Sequence, residues 1–285
     1  LRELFYCSGQ RQGSEFQRVD AGTPSSLSVA GSTAVGAEPL GINFTGNYAY
    51  LGTSGNSREL VIIGGGEGGW SNPTPLGSLN LTSNKDLLTV TVAGDYAYAG
   101  RQKAEAAGEL AVINVQEPRT PTLAGELEVN DAVHDIAVSG HRAYLATDQD
   151  AKELIAVNVA NPSGPSELGS FDAPGNSDGL GVFVTGNLAV LTTRSSASGA
   201  EVYLLDITDP AAITQLSSIS LSNSPDVAAV TGTSATVYLA TSDSTRDVQI
   251  YDIRTPSSPT FLGSYDTPGT GNAISLALRA TELYV

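Results

Sequence analysis

Gly94-Asp95-Tyr96-Ala97-Tyr98-Ala99 decides how this chain is read, because the stretch returns along its whole length. Earlier it is Gly46-Asn47-Tyr48-Ala49-Tyr50-Leu51, and later Gly140-His141-Arg142-Ala143-Tyr144-Leu145 and Gly186-Asn187-Leu188-Ala189-Val190-Leu191. Looser copies end in Val237-Tyr238-Leu239 and Leu283-Tyr284-Val285. From Tyr50 onward the equivalent positions are 48, 46, 46, 48 and 46 residues apart. Strand-forming repeats of that length indicate a β-propeller. Six near-copies predict an all-β ring of about six four-stranded blades.

A second mark sets the register. An apolar strand ends in Asp or Asn four residues before a proline: Asp20 to Pro24, Asn114 to Pro118, Asn158 to Pro162, Asp206 to Pro210 and Asp252 to Pro256. The side chain of such a residue bonds its own backbone two residues on, and proline ends the ladder by removing a donor. After each proline turn comes Leu-Gly or a relative: Leu76-Gly77, Leu123-Ala124-Gly125, Leu168-Gly169, Leu216-Ser217 and Leu262-Gly263. The third full copy then divides into strands at 136–138, 143–146, 154–157 and 168–171. Several are almost continuously apolar, as expected of sheets covered on both faces. The best helical candidate, Gln102 to Ala107, is too short to stand alone.

The unit resembles the LVIVD repeat, a β-propeller repeat named for its apolar strand ending in Asp. The resemblance rests on the Gly-x-x-Ala-Tyr strand, on Val202-Tyr203-Leu204-Leu205-Asp206-Ile207 and on the Asx-to-Pro spacing. Asn114 and Asn158 replace the Asp, and Leu60-Val61-Ile62-Ile63 is followed by Gly64. What the resemblance implies is a propeller, often within larger bacterial or archaeal surface proteins, hence an extracellular or cell-surface setting. It implies no defined catalytic residues.

Residues 1–285 read as a single propeller domain, expected to be a segment of a longer multidomain protein. The chain contains no Met and opens inside a unit, with Leu4-Phe5-Tyr6-Cys7 aligned to the Tyr-bearing strand. It stops inside the same strand type. The ring is therefore expected to close by sharing a blade, with 274–278 and 283–285 from the end and 16–19 and 26–30 from the start. One Tyr-type strand would then be redundant, and seven blades in the parent protein stay open.

A formal charge of −16 and only 14 Lys plus Arg describe a surface that repels phosphate backbones, so nucleic acid is excluded as a partner. No apolar run is long enough for a transmembrane helix. Cys7 is the only cysteine and has no cysteine to pair with; it reads as a small buried hydrophobe.

Two segments are candidates for function. Gly64-Gly65-Gly66-Glu67-Gly68-Gly69-Trp70 reads as an inserted loop whose Trp70 either covers apolar surface or stacks on a partner. No Gly-Lys-Ser/Thr follows it, so it is no phosphate loop. The other segment is the loop entering each innermost strand, which brings Asp86, His134, Asp135, Asp178, Asp226 and Asn272 to one mouth of the central channel. Solvated turn chemistry is the ordinary reading. Carboxylates there also suit Ca2+, with Asp135, Asp178 and Asp226 as the ligand set. No sialidase-type Asp box, Gly-x-Ser-x-Gly elbow or His-Glu-x-x-His is present. The expected function is a non-catalytic binding or scaffold module for a protein or glycan partner. The alternative is a metal-assisted hydrolase or lyase with His134 as base.

Overall fold

The computed structural model describes residues 14–20, 26–67, 69–105, 107–279 and 282–285, and the backbone of 3–7. It divides into two compact units: Leu1–Val133 with Asn161–Pro165, and His134–Ala160 with Ser166–Val285. Every described element is a strand.

In the first unit β1 (Glu3–Cys7), β2 (Phe16–Asp20) and β3 (Ser28–Thr33) form a three-stranded sheet in that order. Two four-stranded meanders follow. One is β4 (Pro39–Thr45), β5 (Tyr48–Thr53), β6 (Leu60–Gly66) and β7 (Gly69–Leu79). The other is β8 (Leu87–Ala93), β9 (Tyr96–Arg101), β10 (Leu110–Asn114) and β11 (Thr122–Leu127).

Three more meanders follow, the first opening at the unit boundary: β12 (Val133–Ser139), β13 (Arg142–Thr147), β14 (Leu154–Asn158) and β15 (Ser166–Phe171). Next are β16 (Gly179–Thr185), β17 (Leu188–Thr193), β18 (Val202–Asp206) and β19 (Thr214–Ile219), then β20 (Val227–Gly232), β21 (Thr236–Thr241), β22 (Val248–Asp252) and β23 (Thr260–Tyr265). The second unit ends in a two-stranded ribbon, β24 (Ala277–Arg279) with β25 (Glu282–Tyr284). These sheets are the blades the period predicts, and the fold is a β-propeller.

The N-terminal register is as expected, since Phe5 pairs with Arg18. The place beside β2 is filled by β1, so β1 is the Tyr-type strand in use there. Pro24 and the turn around it lie outside the described residues. At the other end strand structure begins at Ala277, later than the expected 274. Isolated two-stranded ribbons are marginal, and among the described residues β24 pairs with the three residues of β25.

Local chemistry follows the sequence marks. Asn114, Asn158, Asp206 and Asp252 each accept the N–H two residues on, from Gln116, Ala160, Thr208 and Arg254 at 2.9–3.0 Å. Gly46, Gly94, Gly140 and Gly186 turn the first hairpin of their sheets at φ between 56 and 60°. A Cβ there would meet nothing within 4 Å, so left-handed backbone, not space, calls for glycine.

The Leu-Gly position has the opposite reason. A Cβ on Gly77 would stand 2.2 Å from the Pro118 carbonyl, on Gly125 2.5 Å from that of Pro162, and on Gly169 2.5 Å from that of Pro210. Each outer strand therefore seats the proline turn of the following sheet directly against its backbone. At Ser217 the seat is a hydrogen bond from Oγ to the Pro256 carbonyl at 2.5 Å.

Apolar side chains fill the space between successive sheets within each unit. Tyr50, Leu60 and Ile62 pack with Leu87, Val90 and Ile113 in the first unit. In the second, Tyr144 and Leu154 pack with Val182, Leu191 and Leu205, and Val190 and Leu204 with Val227, Val237 and Leu239. Each such side chain, fully buried, contributes roughly 1.5–3 kcal/mol against the entropy of ordering the chain.

Candidate functional site

The loops entering the innermost strands are held by a repeated tie. The residue before the first strand accepts, at its carbonyl, the N–H of the residue sixteen further on, just past the second strand. The pairs are Gln102 with Asp86 at 3.0 Å, Arg194 with Asp178 at 2.8 Å and Ser242 with Asp226 at 3.0 Å. Side chains reinforce it. Gln102 Nε2 donates to Asp86 at 2.9 Å, Arg194 Nε to Asp178 at 2.7 Å, and the Asp226 N–H to Ser242 Oγ at 2.9 Å. These acids fix loop geometry.

His134 and Asp135 differ from that pattern. His134 Nε2 lies 2.6 Å from Asp148 Oδ1, with both side chains about a quarter exposed at 25% and 27%. Asp135 Oδ1 accepts from Ile136 N and Oδ2 from Val182 N on β16, at 2.8 and 2.9 Å, so it staples two sheets of the second unit. Burial pushes its carboxyl up to about 6, against the pull of those two N–H groups and of His134. Asn272 is exposed in the segment ahead of β24. Among the described residues no group of three or more His, Cys, Asp or Glu side chains is placed to share a cation. Asp135, Asp178 and Asp226 each have separate partners.

One of the expected residues lines a cavity. Asp226, Asn223, Ser224, Ser195 and Ser242 to Ser244 surround about 390 Å3 in the second unit, at the ends of the loops around β20 and β21. Ser195 N donates to Asp226 Oδ1 at 2.8 Å, which sets one wall. Asp243 also lines it, and its Oδ1 accepts from Thr245 N and Oγ1 at 3.0 and 2.8 Å. Burial raises the Asp243 pKa, but Thr245 and Arg246 outweigh it and hold the group below the usual carboxylate value. Asn223 and Ser224 both take positive φ, 69° and 43°. Such backbone is uncommon in non-glycine residues and clusters where loops are shaped for a task. The cavity presents hydroxyls, an amide and two acids, and so suits a polar ligand rich in donors.

Trp70 corrects the expectation of a loop. Gly64, Gly65 and Gly66 extend the β6–β7 ladder opposite Thr74, Pro73 and Gly69, and Trp70 stands within β7. Glycine permits this because the hairpin closes tightly, with Gly66 only 2.6 Å from the Asn72 carbonyl at its Cβ position. The indole packs against Phe16 and Phe44, ring centroids 6.2 and 5.4 Å away. Cys7 pairs with Phe16 through its backbone; its side chain lies outside the described residues.

Sequence reasoning missed a row of buried acids. Glu59, Glu109, Glu153, Glu201 and Asp247 each precede the third strand of their sheet and are at most 2% exposed. Each carboxylate accepts a backbone N–H from beyond the fourth strand: Leu81, Val129, Ala173, Leu221 and Thr267, at 2.7–3.0 Å. Glu15 makes the same bond to Val35 at 2.9 Å. The signal was an acid directly before each apolar third strand, which reads as surface if taken alone. Burial pushes Glu153 up to about 7, with the Ala173 N–H pulling it back and Asp172 and Asp150 adding to the rise. Its Oε1 has no hydrogen-bond partner among the described residues, so the proton has a place that leaves the Oε2 bond intact.

A threonine accompanies the acid. Thr53, Thr147, Thr193 and Thr241 donate Oγ1 to the carbonyl just ahead of it, at 2.7–3.1 Å. Arg101 takes that place in the β8–β11 sheet, fully buried, with Nε on the Gly108 carbonyl at 2.7 Å and its guanidinium on Glu126.

Repeated four-stranded meanders with these staples define a β-propeller assembled from short, near-identical units. The LVIVD repeat family model matches residues 88–129, 132–173 and 237–267, so those stretches are similar to LVIVD repeats. Solved structures similar over nearly the whole chain carry the same fold. A putative 6-phosphogluconolactonase from Bacteroides uniformis ATCC 8492 is 14% identical, with a TM-score of 0.71 over 98% of this chain and 85% of its own. The computationally designed Ika8 protein is 12% identical, with a TM-score of 0.66 over 99% and 78%. A chain of a nidogen/laminin complex is 11% identical, with a TM-score of 0.60 over 93% of both. No curated protein matches the sequence.

Proposed function

We propose that this propeller is a non-catalytic binding module of an extracellular or cell-surface protein, and that it takes a polar protein or glycan determinant in the cavity at Asp226. The observation that carries the reading is the division of labour among the acids. Asp86, Asp178 and Asp226 hold loops through repeated ties, and the loops tied at Asp226 present Asn223, Ser224, Ser242 and Ser244 around one polar cavity. Loops on a rigid scaffold are where recognition resides. The structural likeness to a chain of the nidogen/laminin complex, a protein assembly by its description, agrees with a binding role.

Titration calorimetry against neutral oligosaccharides and peptides tests the reading, with Ser244→Trp filling the cavity. Binding by the unaltered chain, weakened at least about tenfold in the variant, is the expected result. Equal binding by both places recognition elsewhere. Thermal unfolding with Ca2+ and with EDTA runs beside it. A midpoint that climbs with Ca2+ concentration and is level in Asp226→Ala would replace this reading with a cation-dependent one.

A further inference from the structure

Asn80-Leu81-Thr82, where the chain leaves β7, carries surface chemistry that the fold does not account for. Four Asn-x-Ser/Thr triplets occur in the sequence, beginning at Asn43, Asn72, Asn80 and Asn161. Proline follows Asn72 and Asn161, which removes both as acceptors of an N-linked glycan. Asn43 lies inside β4, half-buried and paired with Tyr50. Asn80 stands outside any strand. The Leu81 side chain is 1% exposed and the Leu81 N–H is bonded to Glu59 Oε2 at 2.8 Å, so the middle of the triplet is anchored. Asn80 and Thr82 on either side of it are exposed. Both ends are therefore offered to solvent from a fixed backbone. The same place in other sheets is filled by Glu128, Asp172, Ser220 and Asp266, each exposed and each just before the residue whose N–H a buried acid holds. Packing asks only for a polar residue there, and not for asparagine with threonine two residues on.

We infer that Asn80 is an acceptor for an N-linked oligosaccharide. The inference rests on the extracellular or cell-surface setting proposed above, because such glycans are placed on surface turns of exported chains. The co-substrate is an oligosaccharide carried on a lipid diphosphate. Asn80 Nδ2 forms a bond to C1 of its first sugar, and the C1–O bond to the diphosphate breaks. The diphosphate leaves with the bonding pair, and one amide proton passes to solvent. No oxidant or reductant takes part. The Thr82 hydroxyl is the element that the transferase recognises. The product is a bulky, hydrated chain on an exposed turn, where it displaces no packed side chain.

Peptide mapping of the protein taken from the cells that make it, with glycans released by an amidase in heavy-oxygen water, tests this. The peptide containing position 80 should carry hexose-containing mass before release and a heavy oxygen after it, while the peptide containing Asn43 carries neither. Thr82→Ala and Asn80→Gln should lose the glycan, and Thr82→Ser should keep it. An unchanged unfolding midpoint in all three variants separates that loss from misfolding, as expected of exposed positions. Protease added to intact cells reports separately whether the protein is outside. Protein that is outside with a bare Asn80 overturns this inference and leaves the binding reading standing. Protein confined inside with a bare Asn80 overturns the setting as well. A glycan on Asn43 and none on Asn80, or mass at position 80 that survives Thr82→Ala, also overturns it.

Discussion

Leu168-Gly169 in β15 and Leu262-Gly263 in β23 are the same pair at the same place in two repeats of one unit, yet their surroundings differ. Gly169 lies under the Pro210 turn, with a carbonyl 2.5 Å from where a Cβ would stand, and Leu168 packs against the buried cluster around Tyr203. Among the described residues nothing lies within 4 Å of a Cβ on Gly263, and Leu262 is 56% exposed. In a repeat protein the role of a residue is completed by the neighbouring repeat. The same letter is a structural requirement in one copy, while in the other no described residue covers it.

The largest effect should come from filling both seats. Gly169→Val drives side-chain carbon into a backbone carbonyl that cannot rotate away, and should cost about 3 kcal/mol in urea unfolding. Gly263→Val should stay within about 0.5 kcal/mol, as surface changes do. Equal losses would show that β23 is as tightly covered as β15.

Next in size is the buried acid. Glu201→Ala leaves the Leu221 N–H buried without its acceptor and should cost about 1–3 kcal/mol. Thr193→Val removes one hydroxyl bond to the Ala200 carbonyl at the same strand ends and should cost about 1 kcal/mol. A Glu201→Ala variant as stable as the parent would mean that the N–H finds water, and that the acid row is incidental.

Acidity separates the two sheets in another way. In β12–β15, Asp135 and Glu153 are pushed up from 3.8 and 4.5 to about 6 and about 7. Each binds its proton more tightly in the folded chain than in the unfolded one. Their contribution to stability is full below the ordinary values and is lost as pH rises, through about 6 for Asp135 and about 7 for Glu153. In and around β20–β23, Asp243 and Asp252 are held low: Asp243 by Thr245 and Arg246 against its burial, and Asp252 by the hydrogen bonds and charge of Arg254. Their contribution is present above the ordinary value of 3.8 and lost as pH falls. Hydrogen exchange against pH should therefore show β12–β15 loosening between pH 4 and 7 while β20–β23 does not. Glu153→Gln should flatten the first trend. Parallel behaviour of the two sheets would contradict the assignment.

How much was legible beforehand follows the range of each interaction. The Asx turns were, because Asn158 and Asp206 bond only two residues away. The blade order was, because the period counts strands. The reason for glycine in Leu-Gly was not, since it lies one repeat further on, in the carbonyl of Pro162 or Pro210. The buried acids failed for the same cause: Glu153 meets its donor, the Ala173 N–H, twenty residues later, and an acid beside a turn looks solvated until that distance is closed. Trp70 misled in the other direction, because a run of glycines suggests a loop while here it lets two strands approach. At the cavity, Asp226 was marked by its place in the repeat. Asn223 and Ser244 carry no pattern of their own and required the folded loops.

The two kinds of glycine also say where this scaffold will accept foreign sequence. At Gly140-His141 the turn touches no other side chain within 4 Å of the glycine's Cβ position, and exposed tips of this kind tolerate insertion. The proline turns are as short and as polar but serve as seats for the preceding sheet. A graft at Gly94, Gly140 or Gly186 would be displayed on an otherwise unchanged protein, whereas the same graft at Pro210 would pry two sheets apart.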